Sequence, residues 1–293
     1  MNEYLVAPLR PLGVIEAISR LYVDPDAPPI GRTIAFIGAK GGTGSSTIAH
    51  NIGWCISSSM NEDVVITDMD LPFGTAGLDF NQDPAQGIAD ALTAPERMDD
   101  VLLDRLLVKC SDKLSLFAAP AVLDRDFEMD ADSCETVLDI VREGVPCVVV
   151  DLPHVWAPWT KKVLLAADEI VITATPDLAS LRNAKNILDL TRQARPNDNA
   201  AHIVLNQVGM PKRPEIPVKD FAEAVGGDAT LILPFNPGLF GTAANNGQMI
   251  EEIEPKGKAA EGFRFLAQQL CGREARAPKA AKSSLFSFLS RKG

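Results

Sequence analysis

The clearest chemistry in this chain lies in residues 36–50, FIGAKGGTGSSTIAH. A phosphate-binding loop reads G-x-x-x-x-G-K-[ST] between a strand and a helix. Here Gly44 and Ser46 take the second glycine and final hydroxyl positions, Ala39 stands at the first glycine, and Ser45 fills the slot of the usual lysine. A lysine comes earlier instead, at Lys40, followed by Gly41, Gly42 and Thr43. Glycines let the backbone curl so that successive N–H groups face an anion, and a helix start adds unpaired N–H donors. Ser46 is placed to offer its hydroxyl to Mg²⁺, and Thr47 to add a further contact. The displaced lysine points to a nucleotide site that a second subunit completes.

Two acidic segments suit the same site. VVITDMDLPFGTAG (residues 64–77) is an apolar run ending in Asp68-x-Asp70, with Gly74 and Gly77 beyond it; CVVVDLPH (residues 147–154) ends in Asp151. Carboxylates at the C-terminal ends of parallel strands lie where open α/β sheets bind ligands. Mg²⁺ prefers oxygen ligands and keeps several waters, which such carboxylates can hold. A lone strand ending in Asp is often only a turn or a cap. Two of them downstream of a phosphate loop favour the metal.

These residues need a scaffold, and the chain alternates short apolar runs with helical patterns. Strands are expected near residues 32–38, 63–68, 114–118, 147–151, 169–174, 201–206 and 229–233. Helices are expected between them, one beginning at Ser45 or Ser46 and one over 178–194 with Leu181, Ala184, Ile187 and Leu188 on one face. The stretch from Gly87 to Cys110 also reads as helical. The alternation predicts an α/β fold with a mostly parallel twisted sheet and helices on both faces.

With these pieces placed, the chain resembles the MinD/ParA family of deviant-Walker P-loop ATPases. The matching segments are AKGGTGSST, Asp68-Met69-Asp70 with its glycines, VVVDLP, ITATPDLASLRNA, VLNQ and LPFNPGLFGTAANNGQMI, together covering about residues 31–271. Ser-Ser-Thr in the loop and the late Phe-Gly-x-Ala-x-Asn-Asn-Gly segment look most like the CpaE/TadZ branch, which supports assembly of Tad-type (Flp) pili. The resemblance implies ATP and Mg²⁺ as cofactors and a homodimer. Lys40 would reach the nucleotide in the partner's site, Asp70 would orient or activate the attacking water, and Asp68 and Asp151 would serve the Mg²⁺ water shell. Asn206 matches the position that hydrogen-bonds the adenine edge, and the backbone around Pro234 would line the base pocket. Asn206 read without the resemblance is a turn cap.

Two positions depart from the family pattern. Ala39 is tolerable if its φ stays negative. Ser45 stands where the family's best hydrolases carry a second lysine on the β- and γ-phosphates, and it offers a hydrogen bond without a charge. Phosphoryl transfer depends on positioning and on neutralising developing charge, so nucleotide binding, turnover or both should weaken. The expectation is ATP binding that closes a homodimer, with slow hydrolysis.

Composition narrows the alternatives. In 293 residues, five scattered cysteines without a C-x-x-C pair argue against a disulfide framework, zinc or a bridging iron–sulfur cluster. The three histidines lack metal spacing; His154, after the second acidic strand, reads as a satisfied loop histidine with a view of the γ-phosphate. No secretory signal is visible, and no run approaches the ~20 apolar residues of a membrane span. A cytoplasmic protein is expected, with peripheral contact to the inner membrane at a cell pole.

Three parts are expected along the chain. Residues 1–30 hold one short amphipathic helix and a linker stiffened by Pro25, Pro28 and Pro29, similar to the last helix of the receiver-like domain upstream in the CpaE branch. Residues 31–271 are the ATPase domain. Residues 272–293 carry a net charge of +5 against −11 for the whole chain, leaving −16 elsewhere. Leu285, Phe286, Phe288 and Leu289 in that tail would share one helical face flanked by cations, which suits an interfacial anchor or a docking peptide.

The acidic remainder disfavours nucleic acid, whose affinity comes largely from Lys and Arg on phosphates. The partners the resemblance implies are the pilus secretion ATPase or inner-membrane platform and a polar hub protein. A non-hydrolysing scaffold and a DNA-partitioning ATPase of the same fold are the alternatives.

Overall fold

The computed structural model describes residues 30–121, 123 and 127–273. The expected N-terminal helix with its linker and the basic amphipathic tail lie outside these residues, apart from Ile30, Gly272 and Arg273. Eight strands form one sheet: β1 (Arg32–Gly38), β2 (Val64–Asp68), β3 (Val108–Lys109), β4 (Leu114–Phe117), β5 (Cys147–Leu152), β6 (Glu169–Ala174), β7 (His202–Val208) and β8 (Leu231–Pro234). Their order is β3-β4-β2-β5-β1-β6-β7-β8, all neighbours parallel except β3 against β4.

The strands are continuous Val- and Ile-rich runs because both of their faces are covered. All six residues of β5 are buried. Along β1 the faces alternate: Ile34 and Phe36 point to one core, Ala35 and Ile37 to the other. The first core is closed by α1 (Ser45–Met60) and the C-terminal helix, Lys258–Leu270, through Ile48, Ile52, Phe263 and Leu266. The second is closed by Ala131–Gly144, Pro158–Ala166 and Leu178–Ala194, through Val137, Val141, Val163 and Leu188. Each such side chain taken fully out of water contributes roughly 1.5–3 kcal/mol before the cost of ordering it.

The seven strands and the helix over 178–194 appear where the apolar runs place them. The single helical stretch expected from Gly87 to Cys110 does not form. It divides into helix Ile88–Thr93, a 3₁₀ turn at Pro95–Arg97, helix Asp100–Leu106 and strand β3. Pro95 cannot continue a preceding helix, and Asp99 starts a new one by accepting the Leu102 N–H at 2.8 Å. Beyond it Leu107 turns to extended backbone, and β3 finds the open edge of β4. No helix among the described residues is long and apolar enough to cross a membrane.

Candidate functional site

The phosphate loop leaves the C-terminal end of β1, a central strand flanked by β5 and β6. Gly42 and Gly44 take left-handed backbone, with φ of 77° and 86°, which a side chain would oppose. A Cβ on Gly41 or Gly42 would meet nothing, so the outer side of the loop is open to a ligand. A Cβ on Gly44 would lie 2.7 Å from Asn206 Nδ2. Ala39 is fully buried and is not among the residues with positive φ, which explains why the first glycine is dispensable. Its N–H donates to Thr173 O at 2.8 Å, and its carbonyl accepts from Asn183 Nδ2 at 2.8 Å. Thr43 is buried and folds its hydroxyl back onto Lys40 O at 3.1 Å.

Ser45, Ser46 and Thr47 form the first turn of α1. The Ser45 hydroxyl is buried and finds no hydrogen-bond partner among the described residues. The position that departs most from the motif therefore supplies no charge and turns its one polar atom inward.

The two acidic strands are neighbours, and Asp68 and Asp151 stand side by side in register. Asp68 is 1% exposed, and its oxygens accept the N–H groups of Asp70 at 3.1 Å and Ala76 at 3.1 Å. It thereby shapes the loop that follows β2; a Cβ on Gly74 would come within 2.3 Å of it. Burial, with the charge of Asp151, pushes the Asp68 carboxyl up to about 7, while His50 and the two N–H donors pull the other way. Asp70 is half-buried and accepts from Phe73 N at 3.2 Å. Burial and Asp151 raise its carboxyl above the usual range. Asp151 is buried, and its Oδ1 has no hydrogen-bond partner among the described residues.

Lys40 is held within its own chain, Nζ donating to Asp177 Oδ2 at 2.7 Å. Asn206 lies against the loop, its Nδ2 donating to Thr43 O at 2.8 Å and its Oδ1 accepting from Gln207 N at 2.8 Å. Gln207, in left-handed backbone, donates to Gly42 O at 3.0 Å. Pro234 ends β8, three strands from β1, and the next residue is fixed by Phe235 N donating to Val208 O at 2.8 Å. His154 is exposed, with Nδ1 donating to Gly38 O at 2.9 Å, the loop contact its position suggested.

Mg²⁺ with a nucleotide fits these residues. The glycine cradle is open, Ser46 lies in the first turn of α1, and a buried oxygen of Asp151 has no hydrogen-bond partner among the described residues. Among the described residues no three His, Cys, Asp or Glu side chains are grouped closely enough to hold a metal alone. An ion carried on phosphate oxygens, one hydroxyl and water matches that arrangement.

Several residues of the site escaped the sequence reading. Asp177 and Asn183 belong to a segment matched only as a whole, although Asp-x-x-Ser is an N-cap pattern that could have marked Asp177. His50 and Asp79 had a fainter signal: His50 stands four residues after Ser46, on the same helical face.

Fold and loop together define a P-loop nucleotide-binding protein with its lysine displaced toward the mouth of the site. A family model described as an AAA domain matches residues 31–203. The chain belongs to the MinD/ParA family of P-loop ATPases. It is 23% identical over 252 residues to the septum site-determining protein MinD of Synechocystis, covering 83% of this chain and 90% of that protein. Among solved structures it is similar to a ParA family ATPase from Chlorobium tepidum, with 25% identity, TM-score 0.72, and coverage of 81% of this chain and 97% of the other. MinD of Pyrococcus horikoshii, solved with Mg-ADP, shares the fold at 18% identity and TM-score 0.71, over 82% of this chain and 96% of that one.

Proposed function

We propose that this chain is an ATP-operated dimerising switch, with slow hydrolysis as its timer, which marks where a Tad-type pilus assembles at a cell pole. The observation that carries the switch is the setting of Lys40. It sits at the mouth of the phosphate loop, at the same sheet end as exposed apolar side chains on three segments: Phe73 after β2, Val155 and Trp156 after β5, and Leu178, which opens the helix after β6. Phe73 is 72% exposed and Leu178 73%. Apolar groups gathered around a ligand mouth suit a second protein surface, and a second copy would bring its own Lys40 to the nucleotide.

In this reading Mg·ATP supplies the γ-phosphoryl group, and the chain positions it. The loop N–H groups and Ser46 hold phosphate and metal, with Thr47 alongside. Asp151 and Asp68 order the metal's waters, Asp70 orients the attacking water, and Asn206 with the backbone near Pro234 bounds the base. The missing charge at Ser45 slows turnover unless the partner's Lys40 replaces part of it.

The pilus assignment rests on resemblance to the CpaE/TadZ branch, carried by the Ser-Ser-Thr loop and the Asn-Asn-Gly segment. The proposed partners are the pilus secretion ATPase or inner-membrane platform and a polar hub, with the protein cytoplasmic and its basic tail touching the membrane. Cells lacking the chain should lose pili and regain them with wild type but not with Lys40→Ala. Normal piliation in the deletion strain would remove the pilus assignment.

The inward, unpartnered Ser45 hydroxyl favours one other reading, a scaffold that binds nucleotide without turning it over. Phosphate release no faster than that of Asp70→Ala would establish it. A DNA-partitioning role is less favoured by the acidic chain; retention on DNA that falls steeply with salt would support it.

A further inference from the structure

His50 is the most enclosed ionisable side chain beside the site, with no solvent exposure. It projects from α1 one turn beyond Ser46 and lies between two carboxylates from distant parts of the chain. Nδ1 donates to Asp79 Oδ2 at 2.7 Å, and Nε2 lies 3.5 Å from Asp151 Oδ2, a charge contact rather than an aligned hydrogen bond. The Phe80 ring, tilted at 55° with centroids 5.7 Å apart, fixes the imidazole from the side. An imidazole so buried among acids is costly unless those acids need it, because an unpartnered charge in the interior is strongly unfavourable.

Asp79 closes the short helix Ala76–Asp79, which begins where Asp68 accepts the Ala76 N–H. The same segment packs on helix Pro237–Asn246: Asn81 Nδ2 donates to Asn246 O, and a Cβ on Gly247 would lie 2.9 Å from Leu78 O. The residue after His50 grips the far side of that region, Asn51 Oδ1 accepting from Ile250 N at 2.8 Å. Two consecutive residues of α1 thus hold the acidic cluster and the segment from Pro237 to Ile253 against one another.

We propose that His50 is a positioning residue that ties Asp151 to the segment Ala76–Asn81, so that loading the metal end of the pocket is transmitted to helix Pro237–Asn246. The proposal rests on reading the site as one for Mg·ATP. Outer-sphere partners of metal-holding groups characteristically tune both affinity and geometry.

The test measures binding of a fluorescent ATP analogue with Mg²⁺ and with EDTA, alongside amide hydrogen exchange, in wild type, His50→Ala, His50→Gln, Asp79→Ala and the double alanine variant. In wild type, Mg²⁺ should tighten binding and slow exchange in residues 76–82 and 237–247. His50→Ala should keep its EDTA affinity, lose roughly tenfold of the Mg²⁺ enhancement, and lose the exchange response. His50→Gln, which keeps a donor for Asp79 but no charge facing Asp151, should recover only part of both. Asp79→Ala should reproduce the loss, and the double variant should add nothing. A full Mg²⁺ response in His50→Ala and Asp79→Ala would overturn the proposal, as would equal weakening with Mg²⁺ and EDTA. Wild type that binds no analogue would instead overturn the nucleotide reading, and this proposal with it.

Discussion

Lys40 and Asp177 form an ion pair within one chain, 2.7 Å from Nζ to Oδ2, at the mouth of the phosphate loop. Asp177 also accepts from Thr175 Oγ1 at 2.6 Å and caps its helix through Ser180 N at 3.0 Å. Burial pulls its carboxyl upward, but the hydrogen bonds from Lys40, Thr175 and Ser180 outweigh that and hold it at about 2. The lysine proposed to reach a partner's nucleotide is thus held by its own subunit in this structure.

Asp177→Asn should release Lys40 while keeping the cap, since asparagine caps as well as aspartate. The ATP-bound dimer should then form at several-fold lower protein concentration, with folding stability changed by less than about 1 kcal/mol. Sedimentation across a dilution series checks this. A dimer no easier to form, at unchanged stability, would mean that the pair does not restrain the lysine.

Ser45→Lys should restore a cation beneath the phosphates. Phosphate release should rise by about a hundredfold, the scale on which a single charge-stabilising donor acts. A coupled phosphate assay at saturating ATP measures it. An unchanged rate would show that something other than the missing charge limits turnover.

Gly44→Ala tests the close approach at the loop. The left-handed backbone, φ 86°, costs roughly 1–2 kcal/mol with a side chain present, and the new methyl would displace Asn206 from Thr43 O. Nucleotide binding should be lost while the fold persists, with calorimetry and circular dichroism read together. Retained affinity would show that the loop tolerates a shifted Asn206.

What the sequence disclosed follows from locality. The strands are short apolar runs buried on both faces, such as Val64–Ile66 and Cys147–Val150, and burial on both faces leaves its mark on every residue. The phosphate loop is likewise a contiguous signal. Strand β3 is different: two residues become a strand only because β4 lies open beside them. The Lys40 partner is 137 positions away, and the carboxylates around His50 come from two separate segments. Asn206 shows the same limit, since its residue type does not disclose that, late in β7, its amide already spans Thr43 O and Gln207 N.

His50 also gives the stability a pH dependence. Burial pulls the imidazolium down, but Asp151 and Asp79 outweigh it and hold the group at about 10, raised from 6.5. Between these values the folded chain keeps a proton that the unfolded chain has released. The contribution is therefore complete below pH 6.5 and is lost as pH rises through about 10. The buried thiols Cys55, Cys134 and Cys147, also raised by burial, act in the same sense, so the comparison must be with His50→Gln. The urea midpoint of wild type should fall more steeply than that of the variant between pH 6.5 and 9. Parallel slopes would show that His50 is not charged in the folded state.

The central claim, that nucleotide drives Lys40 into a second subunit, is tested most directly by the oligomeric state of the purified protein in ATP·Mg²⁺, in ADP and without nucleotide, with Lys40→Ala alongside. ATP alone should give a dimer, and Lys40→Ala should remain a monomer throughout. A wild type equally dimeric in all three conditions, or a Lys40→Ala dimer that forms as readily, would contradict the account and leave the nucleotide a structural part of a scaffold.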